Sequence, residues 1–174
     1  MIDMKISCNI KPIFMASALT LLCGCVGDLD VMPLDSNVMT AQDAYASAEG
    51  YTQALKKIYS VWALSGQDDA GASDLEGMDA GNTVLLRCWW TLQENSTDEA
   101  KCAWPDSWVS QVNGLTWSTA SVEPMEGLYH RSMYVVSIVN DFLIQLKNAP
   151  AEIDQERYNA EARFCRALAY YVLM

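Results

Sequence analysis

Residues 155–174 read QERYNAEARFCRALAYYVLM, and the spacing of their small and apolar side chains decides the fold class. Tyr158, Ala162, Cys165, Ala169 and Val172 or Leu173 recur at intervals of three and four, which places them on one face of a helix. Asp154 stands where a carboxylate can cap the first turn. Ala162 and Ala169 leave that face shallow enough for a neighbouring helix to approach closely. A face of this kind needs partner helices.

Three further segments have the same period. Pro124 to Asn148 carries Leu128, Val135, Val136, Val139, Phe142, Leu143 and Leu146, with a Pro in the first turn and Lys147 near the negative end of the dipole. Asn82 to Gln93 carries Val84, Leu85, Cys88, Trp89 and Leu92. The earliest begins at Thr40, with Asp43 three residues on as a weak capping box, and aligns Ala44, Ala48, Tyr51, Leu55, Ile58 and Trp62 before Gly66 stops it. No segment alternates with period two over a strand's length. The expected fold is all-α or mainly α, with helix pairs joined by links of unequal length.

Two of those links are long. QDDAGASDLEGMDAG, residues 67–81, mixes acids with Gly and Ser and is expected to be a solvated loop. It lacks the regular alternation and terminal Glu of an EF-hand calcium loop, so no metal is assigned to it. From residue 94 to 124 the chain reads ENSTDEAKCAWPDSWVSQVNGLTWSTASVEP, an expected long loop interrupted by turn-forming residues. Trp104, Trp108 and Trp117 are large apolar surfaces in this polar setting, suited either to pinning the loop or to stacking against a sugar. With Asn113 they supply an aromatic platform and an amide, the side-chain types that recognise carbohydrate.

The net charge of -11 argues against nucleic acid as a partner, since no basic stripe opposes it. Half of the chain is hydrophobic, which argues for a packed core. Lys5 and Lys11 precede an apolar or small run from Pro12 to Gly27, shorter than the ~20 residues that span a bilayer. A basic start, an apolar centre and small residues before a cysteine follow the order of an export signal. A metal site is a poor alternative, because Cys23 and Cys25 supply two ligands and nothing nearby completes the set. Residues 26–39, VGDLDVMPLDSNVM, have no period and are expected to form an extended arm. Cys88 and Cys165 fall on helical faces as ordinary buried thiols and Cys102 falls in a loop; the sequence leaves their pairing open.

No nucleophilic constellation is visible. His130 is the single histidine, and the paired acids Asp68/Asp69 and Asp98/Glu99 lie in loops that give no sign of the fixed spacing glycoside hydrolysis requires. The expected function is binding, without catalysis and without a cofactor. Arg163 and Arg166, beside the small-residue face, are expected to bridge to groups on adjacent helices, and Asn140 to be an interhelical polar residue with a satisfied amide.

Several stretches resemble the SusD/RagB family of outer-membrane nutrient-binding lipoproteins. LLCGC, with Leu22 at -3 and Gly24 at -1, resembles a lipobox, and CVGDLDVMP resembles the family's start. STDEAKCAWPDSW stands where members often have a Ser/Thr-Asp-Glu loop, and LYHRSMYVVSIVNDFL is similar to the family helix with Tyr, Ile and an Ala-Asn or similar pair. EARFCRALAYYVLM is similar to its Glu-Ala-Arg-Phe-Leu-Arg-Ala helix, with Cys165 at the usual leucine, which gives Glu161, Arg163 and Arg166 a structural role. The resemblance implies a signal peptide over 1–24, a lipidated tether and arm over 25–39 beginning at Cys25, and the N-terminal part of a tetratricopeptide-like, SusD-like helical domain over 40–174. It also implies capture of an oligosaccharide or other nutrient at the cell surface, delivery to a TonB-dependent outer-membrane transporter, and lipid anchoring in the outer membrane. The acids of GDLD resemble a surface-export signal. The chain stops at YYVLM within an unfinished apolar pattern, as expected of an N-terminal portion of a longer protein. The competing reading is a structural or assembly lipoprotein that presents a helical surface to a protein partner.

Overall fold

The computed structural model describes residue 35 and residues 38–66, 71–118 and 122–174. The chain divides into two compact units, Met1–Thr40 and Ala41–Met174. The expected signal peptide, Cys25 and most of the expected arm lie outside the described residues. In the first unit the Val38 amide donates to the Asp35 carbonyl at 3.2 Å.

The second unit is helical, with no strand among the described residues: α1 Ala41–Ala44, α2 Ala48–Ser60, α3 Leu85–Glu94, α4 Ser107–Asn113, α5 Glu123–Gln145 and α6 Gln155–Val172, with a 3-10 turn Leu146–Asn148 after α5. No helix among the described residues is long and apolar enough to cross a membrane.

The first expected helix is broken in two. α1 ends at Ala44, and Ser47 begins α2 anew, its hydroxyl accepting from the Gly50 amide at 3.3 Å. The break folds the Ala44 carbonyl against Gly50, where any side chain would collide with it. Glycine is needed there for close approach, despite its cost within a helix.

α5 is the central element, and α2, α3 and α6 all pack on it. On one side Tyr51, Leu55 and Ile58 of α2 and Val135, Val139 and Phe142 of α5 share a core with Tyr158, Ala162, Cys165 and Ala169 of α6. Ala162 and Ala169 of α6 are fully buried, which is how the helix comes close to α5. Polar groups tie the trio further: the Tyr51 hydroxyl donates to the Gln145 carbonyl at 3.0 Å, and the Thr52 and Tyr158 hydroxyls pair at 3.0 Å. Asp154 caps α6 by accepting from the Arg157 amide at 3.0 Å.

The long loop after α3 is shorter than the sequence suggests, because Ser107–Asn113 is a helix. Trp108, Val109 and Val112 share a small second core with Val122, backed by Leu92, Cys102 and Met125. Two turns of helix carry too few periods to stand out among Asp, Ser, Gln and Asn, and tertiary burial of that apolar triplet stabilises them.

The opposite face of α5 packs on α3. Gly127 makes this approach possible: a Cβ there would lie 2.8 Å from both the Cys88 Sγ and the Thr83 Cβ. Arg131, one turn on, is completely buried.

Candidate functional site

The loop from Asn95 to Asp106 folds back over α3 and closes a cleft of about 390 Å³ between that helix, the loop and α4. α3 contributes Arg87, Trp90 and Thr91, and Asn95 follows it; the loop contributes Lys101, Cys102 and Trp104; α4 contributes Trp108. The loop is held from behind by Asn113, whose Nδ2 donates to the Cys102 carbonyl at 2.9 Å.

The two tryptophans expected at this site play different parts. Trp104 is 48% exposed, with the Arg87 guanidinium carbon 4.6 Å from its ring centroid. That guanidinium is fixed in turn by donation from Nη1 to the Gly81 carbonyl at 2.6 Å. Trp108 is 6% exposed and belongs to the second core, and its indole N–H finds no acceptor. Trp117 is 43% exposed and does not line the cleft, and Asn113 stands behind the loop. Of the expected set, Trp104 and Trp108 are therefore brought to one cleft.

Sequence reasoning missed Arg87, Trp90, Asn95 and Lys101. Trp90, which follows Trp89 and points away from the core, is 57% exposed. An exposed Trp on an amphipathic helix next to an inward-facing one is the signal that could have identified it.

A larger cleft of about 680 Å³ lies between α3 and the last turn of α6, lined by Leu86, Trp89, Trp90, Tyr171 and Met174. Its polar side chains are Gln93 and Glu94. The smaller cleft, with two cations, a buried amide and a stacked indole, has the chemistry for selective recognition.

The residues given a structural role lie away from both clefts. Arg166 Nη1 donates to the Asn140 Oδ1 at 2.6 Å, joining α6 to α5. Asn140 is on the exposed side of α5 rather than within the core, and Arg163 is exposed. Glu161 accepts from the Tyr59 hydroxyl at 3.1 Å and stands 3.5 Å from Arg157 Nε. Cys88, Cys102 and Cys165 are free thiols, and burial pushes that of Cys88 up to about 12. His130, exposed on α5, has Glu126 at 4.0 Å. No group of three His, Cys, Asp or Glu residues stands together as a metal site among the described residues. Asp68 and Asp69 lie outside the described residues.

No protein-family model matches the chain. Over 171 residues it is 29% identical to the Starch-binding protein SusD of Bacteroides thetaiotaomicron, an alignment that covers 95% of this chain. This chain is a distant relative of a SusD/RagB-family protein. The relationship extends over most of the chain, and the helix-rich fold, with no strand among the described residues, is consistent with a SusD-like architecture. The chain spans about 29% of the length of that relative.

Proposed function

We propose that this chain is part of a cell-surface lipoprotein that binds an oligosaccharide or similar nutrient and passes it to a TonB-dependent outer-membrane transporter. The observation that carries the binding role is Trp104, a half-exposed indole held at the edge of a cleft by Arg87. A preformed aromatic surface beside fixed polar groups stacks the C–H face of a sugar without first being ordered. The relative's printed name, a starch-binding protein, supports carbohydrate as the ligand class. Catalysis plays no part in this reading.

Calorimetric titration with gluco-oligosaccharides tests it. Trp104→Ala abolishes the heat of binding, while Trp117→Ala, outside the cleft, changes it little; unchanged affinity in Trp104→Ala overturns the site. Affinity capture from outer membranes retrieves a transporter if delivery is right.

Anchoring follows from the LLCGC stretch. Cys25 carries the lipid, GDLD directs it to the outer face, and Cys25→Ser prevents incorporation of labelled palmitate. Protease digestion on intact cells marks surface exposure; protection until lysis places the domain in the periplasm.

A further inference from the structure

The cleft around Trp104 has a charge opposite to that of the chain. Acids outnumber Lys and Arg two to one in the sequence, at 22 against 11. Yet the ionised side chains in the cleft wall are Arg87 and Lys101, and no Asp or Glu lines it. Asp98 and Glu99 precede it on the loop with exposed side chains that do not reach the wall, and Glu94 lines the neighbouring cleft. Among the described residues, neither Arg87 nor Lys101 forms an ion pair.

Arg87 is also immobilised. It is held by the Nη1 bond to the Gly81 carbonyl and by the Trp104 ring, while the rest of its N–H fork makes no hydrogen bond to the described residues. A guanidinium held flat with unused donors is preorganised for two parallel hydrogen bonds to a planar or tetrahedral oxyanion. Lys101 offers a mobile point charge from the opposite, loop side of the same cleft. Neutral sugars need neither cation, and two unpaired positive charges beside their stacking surface contribute little to holding them.

We propose that the ligand of this cleft is an anionic oligosaccharide, one bearing carboxylate or sulfate groups, with the sugar against Trp104 and Trp90 and the anion on Arg87 and Lys101. This rests on the carbohydrate-binding reading above and narrows its substrate class. Carboxylate and sulfate share the oxyanion chemistry that the fork recognises, and the probes separate them.

The test titrates the whole chain with three oligosaccharides of equal length: a neutral gluco-oligosaccharide, an oligogalacturonate, which bears carboxylates alone, and a sulfated galactan fragment free of uronic acid, which bears sulfates alone. One of the two anionic probes binds at least about tenfold more tightly than the neutral one, and its affinity falls as salt is raised from about 0.05 to about 0.3 M. Which of the two binds identifies the group. Lys101→Gln, an exposed change that leaves the fold intact, weakens that probe about two- to fivefold, as an exposed ion pair does. Arg87→Gln weakens it about tenfold or more, and each variant weakens the anionic probe by a larger factor than the neutral one. Neutral binding that equals or exceeds anionic binding overturns the anionic class and leaves the carbohydrate reading standing. Failure of all three probes to bind overturns both.

Discussion

Arg131, near the middle of α5, donates through Nη1 to the carbonyl of Ser65 at 2.8 Å, 66 residues earlier in the chain. Its Nε donates to the Thr83 carbonyl, and Nη2 reaches the Ser73 hydroxyl at 3.0 Å. A single buried guanidinium thus gathers both ends and the middle of the loop between α2 and α3, whose described residues form no helix or strand. Burial lowers the guanidinium's pKa, and the field of Asp74 opposes that shift. Asp74 itself is paired with Lys57 at 2.6 Å. The loop supplies Gly81, which fixes Arg87, so a residue far from the cleft positions its cation.

Replacing Arg131 with Met leaves the buried Thr83 carbonyl without its donor, while the Ser65 carbonyl keeps the Asp74 amide at 2.9 Å. An orphaned buried group costs about 1–3 kcal/mol, so a loss of that size is expected as a lower urea midpoint. Arg131→Lys keeps the charge but cannot span three acceptors, and it recovers only part of the loss.

The two cleft tryptophans separate stability from binding. Trp108→Ala removes a core side chain and costs about 3–5 kcal/mol in denaturant unfolding. Trp104→Ala forfeits a cation–π contact of about 0.5–1 kcal/mol and leaves the midpoint almost unmoved. Equal destabilisation by the two would show that Trp104 is a packing residue.

Gly127→Ala is expected to destabilise although alanine is the better helix former by about 1 kcal/mol. The added methyl meets Cys88 Sγ and Thr83 Cβ at 2.8 Å, and overpacking of that kind costs about 1–3 kcal/mol. Combining it with Cys88→Ala relieves one of the two close contacts, so the double variant is more stable than the sum of the single effects predicts.

Alkaline pH should unfold the protein in a defined window. Burial, with the nearby Asp141 carboxylate, pushes the Tyr45 hydroxyl up to about 12, and burial does the same to the Cys88 thiol. Both groups ionise first in the unfolded chain, near 10 and 9 respectively. Their contribution is complete below those values and is lost as pH rises through 10 towards about 12. The melting temperature should hold steady to about pH 9 and then fall, and Tyr45→Phe should flatten part of the fall.

Thiol labelling reads the same burial kinetically. Cys102 is partly exposed, whereas Cys88 and Cys165 are buried. Iodoacetamide at neutral pH modifies Cys102 in the native protein and reaches the other two only with unfolding. Native labelling of Cys165 faster than Cys102 would contradict the packing of α6 on α5.

The helices and their inward faces were legible because periodicity is a local property. Tyr158, Ala162, Cys165 and Ala169 were placed by spacing alone, and so was most of the α5 face towards α6. The short α4 was not legible, because seven residues form a helix only when an apolar triplet has a core to enter. Nor was the second face of α5: Gly127, Arg131 and Ser132 look like surface residues until the loop before α3 brings carbonyls to the guanidinium. The cleft depended in the same way on chain reversal, which sets Arg87 on one element over Trp104 on another. Sequence determined the apolar stripes that face the main core, since those follow from rotation per residue. Only tertiary structure decided which polar groups meet across dozens of residues and which tryptophan remains open to a ligand.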